Sequence, residues 1–210
     1  MELIHGFIDV VLHLDKHLVD LLRDYHFWVY GILFAIVFAE TGFVVTPFLP
    51  GDSLLFAAGA LAAVDTTGTL TAPLLSLVLV VAAVAGNTTN YHVGRWIGPP
   101  AFSGRYRWLK VDYLKRTESF FEKHGSLTIV LSRFAPIIRT CAPFVAGVAR
   151  MPYARFQAYN VAGGLAWVLA FTWAGFFFGN IPVIKQNFGL VTIGIVVVSL
   201  IPVAWVALRK

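Results

Sequence analysis

Apolar residues recur along 2–24 at Leu3, Ile4, Phe7, Val11, Leu14, Leu18, Leu21 and Leu22, on one face of a helix, with Glu2, Asp9, Lys16, Asp20 and Asp24 opposite. Asp15 interrupts the stripe. A span here would drag several charges through hydrocarbon, so the pattern predicts an amphipathic helix lying in the membrane interface. Two longer apolar runs follow, Phe27–Ala39 and Leu54–Val64, and between them stand Glu40, Thr41, Gly42, Pro47, Pro50, Gly51 and Asp52. Proline removes a backbone donor and clashes with the preceding turn, while glycine adds freedom, so no straight helix passes through. The segment 27–64 is predicted to be a re-entrant hairpin broken at Pro47, Pro50 and Gly51.

Residues 73–97 read as a full span carrying a polar stripe of Gly86, Asn87, Asn90, Tyr91 and Gly94 at helical spacing. Such a stripe suits either close helix packing or the lining of a polar cavity by Asn87, Asn90 and Tyr91. The stretch 98–124 mixes Trp108, Leu109, Tyr113, Phe120 and Phe121 with basic residues and predicts a second interfacial segment. The chain then turns apolar over 125–149, interrupted by Arg133, Pro136, Arg139 and Pro143, which predicts a second broken hairpin. Further spans are expected at 156–181 and 189–208.

Interfacial helix, broken hairpin and full span thus occur twice, over 2–97 and 107–181, from opposite sides. The expected fold is an all-α membrane domain covering 1–210, an inverted repeat with two facing re-entrant hairpins, about three full spans and two interfacial helices. Paired interrupted segments in two such halves point to a transport site near the midplane. If 125–149 re-enters, the basic residues from Arg95 to Lys123, Arg150, Arg155 and the C-terminal Arg209-Lys210 all fall on the cytoplasmic side, as the positive-inside rule requires.

Composition supports this. The 210 residues are 58% hydrophobic and 13% charged, against roughly 25% charged in an ordinary soluble domain. The net charge of +5 is a topology signal, since seven of the 16 basic residues lie between Arg95 and Lys123, and nucleic acid is not an expected partner. Cys141 has no cysteine to pair with, and no removable leader is read at Met1-Glu2-Leu3. Trp28, Trp96 and Trp205 fall near predicted span ends, where aromatic belts explain them without a cofactor.

The chemistry concentrates in four charges. Glu40, Asp52, Arg133 and Arg139 would each cost about 2.5 kcal/mol or more at mid-bilayer unless paired or wetted. They sum to zero, so hairpin tips meeting from opposite leaflets would form a neutral resting site, with one sign on each. Ion pairs that only hold the halves together are the simpler alternative, although buried pairs stabilise weakly. Two guanidiniums beside helix breaks suit a phosphate, whose oxygens they match bidentately. An arriving anion would draw Arg133 and Arg139 from their carboxylates, and Glu40 or Asp52 would then take a proton.

At these residues the sequence closely resembles the DedA family of bacterial membrane proteins, within the wider VTT-domain group. The likeness rests on Glu40-Thr41-Gly42, Pro47-Phe48-Leu49-Pro50-Gly51-Asp52, Tyr91 to Gly98, Phe120 to Gly125, Arg133 to Arg139, Ala146-Gly147, Asn160, Gly163, Trp167, Gly175 and Gly179. It implies a transporter fold with facing re-entrant hairpins in the cytoplasmic membrane. It also implies a lipid substrate, with undecaprenyl phosphate first and phosphatidylethanolamine as the alternative. The acidic pair Glu40 and Asp52 and the pair Arg133 and Arg139 match the family's functional charges. Asn87 departs from the acid expected there.

Other classes fit less well. A phosphatase would need a nucleophile, yet His92 and His124 lie in no phosphatase motif and Cys141 lacks a phosphate-cradling loop, so no catalytic residue, metal or cofactor is assigned. A proton-coupled exporter of small ions or drugs would use the carboxylates, but the arginines repel a cationic cargo. An assembly factor would tolerate neutralisation of the charges. The expected partners are an anionic lipid head group and protons, with room for a homo-oligomer.

Overall fold

A computed structural model describes residues 27–43, 51–98, 100, 111–182, 184 and 194. The predicted helix at 2–24, the break residues Pro47 and Pro50, and the span at 189–208 apart from Gly194 lie outside the described residues, as do Trp205 and the C-terminal basic pair.

Every regular element among the described residues is helical. The order is α1 (Trp28–Gly42), α2 (Gly51–Val64), α3 (Ala72–Ile97), α4 (Val111–His124), a 3-10 turn (Gly125–Leu127), α5 (Thr128–Leu131), a second 3-10 turn (Ser132–Phe134), α6 (Pro136–Val148) and α7 (Tyr153–Phe178). α3 and α7 have 26 residues each and the apolar composition of membrane spans. At about 1.5 Å per residue such a helix is longer than the roughly 30 Å hydrocarbon core. α1 and α2, of 15 and 14 residues, are too short to cross it alone. The second span begins at Tyr153, three residues ahead of its predicted start, because Phe156 already bonds back to Pro152.

The region 125–149 is helix in pieces. Ala135 stands in an extended conformation (φ −127°, ψ 102°) immediately before Pro136, which opens α6 at its first turn. The proline ring excludes the helical conformation from the residue before it, and its missing N–H is harmless at a helix start. Pro143 was expected to break the chain and does not: it lies inside α6. Its fixed φ is compatible with a helix, and the cost is one lost backbone bond. Asn90 donates to the carbonyl of Thr140 in that same turn (2.7 Å).

The described residues divide into two compact units. One takes those of 1–34, 50–79 and 168–201, the other those of 35–49, 80–167 and 202–210. In the first, α2 crosses the C-terminal part of α7 at backbone contact. A Cβ on Gly59 would stand 2.0 Å from the carbonyl oxygen of Thr172, and one on Gly175 would stand 1.9 Å from that of Phe56. Asn180 donates to the carbonyl of Ala60 just beyond (2.9 Å). The loop after α2 is organised by Asp65, whose carboxylate accepts from the N–H and hydroxyl of Thr67 and from the N–H of Leu70.

In the second unit, α3 crosses α6 in the same manner. A Cβ on Gly94 would meet the carbonyl oxygen of Phe144 at 2.1 Å, and one on Gly147 would meet that of Tyr91 at 2.0 Å. Tyr91 stacks on Phe156 with ring centroids 4.3 Å apart, and its hydroxyl donates to the carbonyl of Met151. Phe120 and Phe121 of α4 pack on this cluster while Lys115, Arg116, Glu118, Glu122 and Lys123 stay exposed, the amphipathic pattern read from sequence. α6 ends in a Schellman arrangement, with Met151 N–H bonded to Ala146 and Arg150 N–H to Gly147. Arg150 takes the left-handed position (φ 54°) that glycine usually fills.

Candidate functional site

Three of the four charges singled out in the sequence come together in the second unit. Glu40 lies in the last turns of α1, Arg133 in the 3-10 turn before the break at Ala135, and Arg139 in the first turn of α6 after it. Nη2 of Arg139 donates to Oε1 of Glu40 at 2.6 Å, with both side chains at most 4% exposed. Nη1 of Arg139 reaches the main-chain oxygen of Arg133 at 3.5 Å, so the extended residue turns the chain back on itself between the two arginines. Asp52, the fourth charge, belongs to the first unit, where it is buried in the first turn of α2.

Arg133 has no exposed surface. Its Nη2 donates to Oδ1 of Asn160 at 2.7 Å, with the carbonyls of Ala83 and Asn160 at 3.4 Å. Its Nε and Nη1 have no acceptor among the described residues. Trp167 offers its ring to both arginines, with Cζ of Arg139 5.0 Å and Cζ of Arg133 5.8 Å from the centroid. Aromatic faces attract cations, so one indole eases the approach of two like charges.

The stripe on α3 spends its donors on neighbouring segments, while Oδ1 of Asn87 and Oδ1 of Asn90 have no donor among the described residues. Asn87 donates to Oδ1 of Asn160 (3.1 Å), Asn90 to the carbonyls of Thr140 and Thr41, and Tyr91 to Met151. All three are buried. They do not line the cavity of about 530 Å3 that opens between α4 and the end of α6, whose walls include Glu118, Phe121, Glu122, Val145 and Met151. None of the four charges lines it either. Among the described residues no three His, Cys, Asp or Glu side chains gather as metal ligands.

Asn160 and Trp167 carried no role in the sequence reading. Their signal was present: Gln157, Asn160, Gly164 and Trp167 share one face of α7 by helical spacing, a polar and small stripe like that of α3.

Membrane-length helices and shorter apolar helices are those of a helical integral membrane protein, here with a cluster of buried charges. The VTT domain profile matches residues 49–177, and the chain belongs to the DedA family. It is 52% identical over 203 residues to Protein DedA of Escherichia coli, covering 96% of this chain and 92% of that protein. It is 36% identical to the inner membrane protein YghB of Escherichia coli, over 85% of this chain and 82% of the relative. It is 39% identical to the inner membrane protein YqjA of the same organism, over 73% of this chain and 69% of the relative. No solved structure matches it significantly.

Proposed function

We propose that the chain moves a phosphate-bearing lipid, with undecaprenyl phosphate the best fit to the family resemblance, between leaflets of the bacterial cytoplasmic membrane, linked to protons. Arg133 carries the reading. Its Nε and two-hydrogen Nη1 leave three N–H bonds of a fully buried cation without an acceptor among the described residues. Donors and charge are costly to bury until something completes them. A phosphate oxygen does both.

Arg139 supplies the second arm. As an anion settles on Arg133, its charge draws Arg139 from Glu40, and Glu40, left in an apolar surround, takes a proton. Asp52 is the second proton-carrying carboxyl in this scheme. The scheme includes the wider architecture: one domain over 1–210, facing re-entrant hairpins at 27–64 and 125–149 in an inverted repeat, and a cytoplasmic C-terminus. The shortness of α1 and α2 and the fragmentation of 125–149 support it.

The test is reconstitution into vesicles with labelled undecaprenyl phosphate and, in parallel, phosphatidylethanolamine, following leaflet exchange against pH. Exchange of undecaprenyl phosphate whose rate depends on pH is expected, with Glu40→Gln impaired. Exchange of phosphatidylethanolamine alone would replace the substrate, and exchange of neither would overturn lipid transport.

A further inference from the structure

The scheme above uses four charges and leaves two buried amides without a task. Asn160 has no exposed surface and Asn87 is 2% exposed. Oδ1 of Asn160 accepts from Nη2 of Arg133 at 2.7 Å and from Nδ2 of Asn87 at 3.1 Å, which fills both of its lone pairs. Its Nδ2 faces the carbonyl of Val84 (3.1 Å), with Thr88 Oγ1 and Gln157 Oε1 at 3.3 Å. A backbone carbonyl can only be met by a donor, so this side of the amide is the nitrogen and the oxygen must face Arg133. Asn87 spends its own amide hydrogen on that oxygen, fixing the orientation from the other side.

A neutral acceptor therefore grips one nitrogen of Arg133. It leaves Arg133 without a carboxylate among its hydrogen-bond partners and two nitrogens open. A carboxylate in the same place would hold the guanidinium more tightly, as Glu40 holds Arg139, but would cancel the charge an anion needs. We propose that Asn160, oriented by Asn87, is the positioning residue for Arg133, and that its being an amide rather than an acid makes Arg133 the primary receptor for a phosphate-bearing head group. This rests on the phosphate reading above.

The experiment measures affinity of the purified full chain in detergent for farnesyl phosphate, with farnesol as the uncharged control. Melting temperatures without ligand are recorded for each variant. Asn160→Ala should bind several-fold more weakly. Asn160→Asp, which keeps an oxygen toward Arg133 and nearly the same volume, should bind weaker still, by roughly tenfold or more, because its charge lies within a few ångström of the guanidinium. Asn87→Asp should likewise bind worse than Asn87→Ala, which keeps the comparison open if Asn160→Asp does not fold. Binding by the Asp variants equal to or tighter than by the Ala variants would overturn the proposal, as would losses that merely follow the melting temperatures. If wild type binds farnesyl phosphate no better than farnesol, the phosphate reading itself fails.

Discussion

Glu40 and Arg139, 99 residues apart in sequence, meet in a buried ion pair at 2.6 Å. Removing one partner of such a pair strands the other charge in a low-dielectric surround, at a cost of about 3–5 kcal/mol. Arg139→Gln is therefore expected to destabilise strongly. The double variant Glu40→Gln with Arg139→Gln should recover much of the loss, since two neutral amides can pair. A thermodynamic cycle of melting in detergent measures this, and simple additivity of the two changes would contradict the pairing.

Arg133 should behave in the opposite sense. Its burial with unfilled donors is a standing cost, so Arg133→Gln is expected to leave stability unchanged or raised while abolishing lipid exchange. Arg133→Lys keeps the charge but loses the planar fork, and exchange should fall by roughly tenfold or more. Abundance and exchange measured together separate a binding role from a scaffold role.

The helix crossings admit no side chain. Gly147→Ala would set a Cβ 2.0 Å from the carbonyl oxygen of Tyr91 and 2.7 Å from the N–H nitrogen of Arg95, and the neighbours are backbone that cannot swing aside. A loss of about 1–3 kcal/mol or more is expected. Gly68, which has nothing within 4 Å of a built Cβ, is a poor control because of its positive φ. Gly31, whose nearest contact is Trp28 at 3.8 Å, should accept alanine with little change in melting temperature.

Arg150 holds the left-handed position at the end of α6. Arg150→Gly relieves a conformational cost on the order of 1 kcal/mol for a residue with a Cβ, and a rise in melting temperature is expected.

Asp65 lies in the exposed loop between α2 and α3, and its carboxyl is held below the ordinary value of 3.8. Burial pushes the other way, but the Thr67 hydroxyl and the N–H groups of Leu70, Thr67 and Thr69 outweigh it. A depressed value means that the loop's stabilisation is fully present above about 3.8 and is lost as pH falls through the lower folded value. Asp65→Asn should reduce hydrogen-exchange protection of the Leu70 amide at neutral pH. The same substitution should have no further effect once Asp65 is protonated.

Much of the site was legible one residue at a time. Glu40, Asp52, Arg133 and Arg139 stood out because charges are rare in apolar runs, and Pro136 marked the break because a proline constrains its own neighbour. Pro143 misled, since the same ring inside a helix removes one bond without ending the element. In the second unit Glu40 faces two arginines, while Asp52 belongs to the first. Asn160 was visible in sequence as a residue of the family pattern, but nothing local said which side chain its amide would meet.

By itself the sequence determined that this is a membrane-embedded helical chain, that its helix breaks at Pro136, and which side chains are too costly to bury without a reason, because hydropathy, backbone freedom and charge act locally. Only the tertiary structure decided that Glu40 takes Arg139 and that Asn160 takes Arg133. Residues 99 and 27 positions apart become partners through the crossing of helices whose glycines let their backbones touch, and no local rule carries that distance.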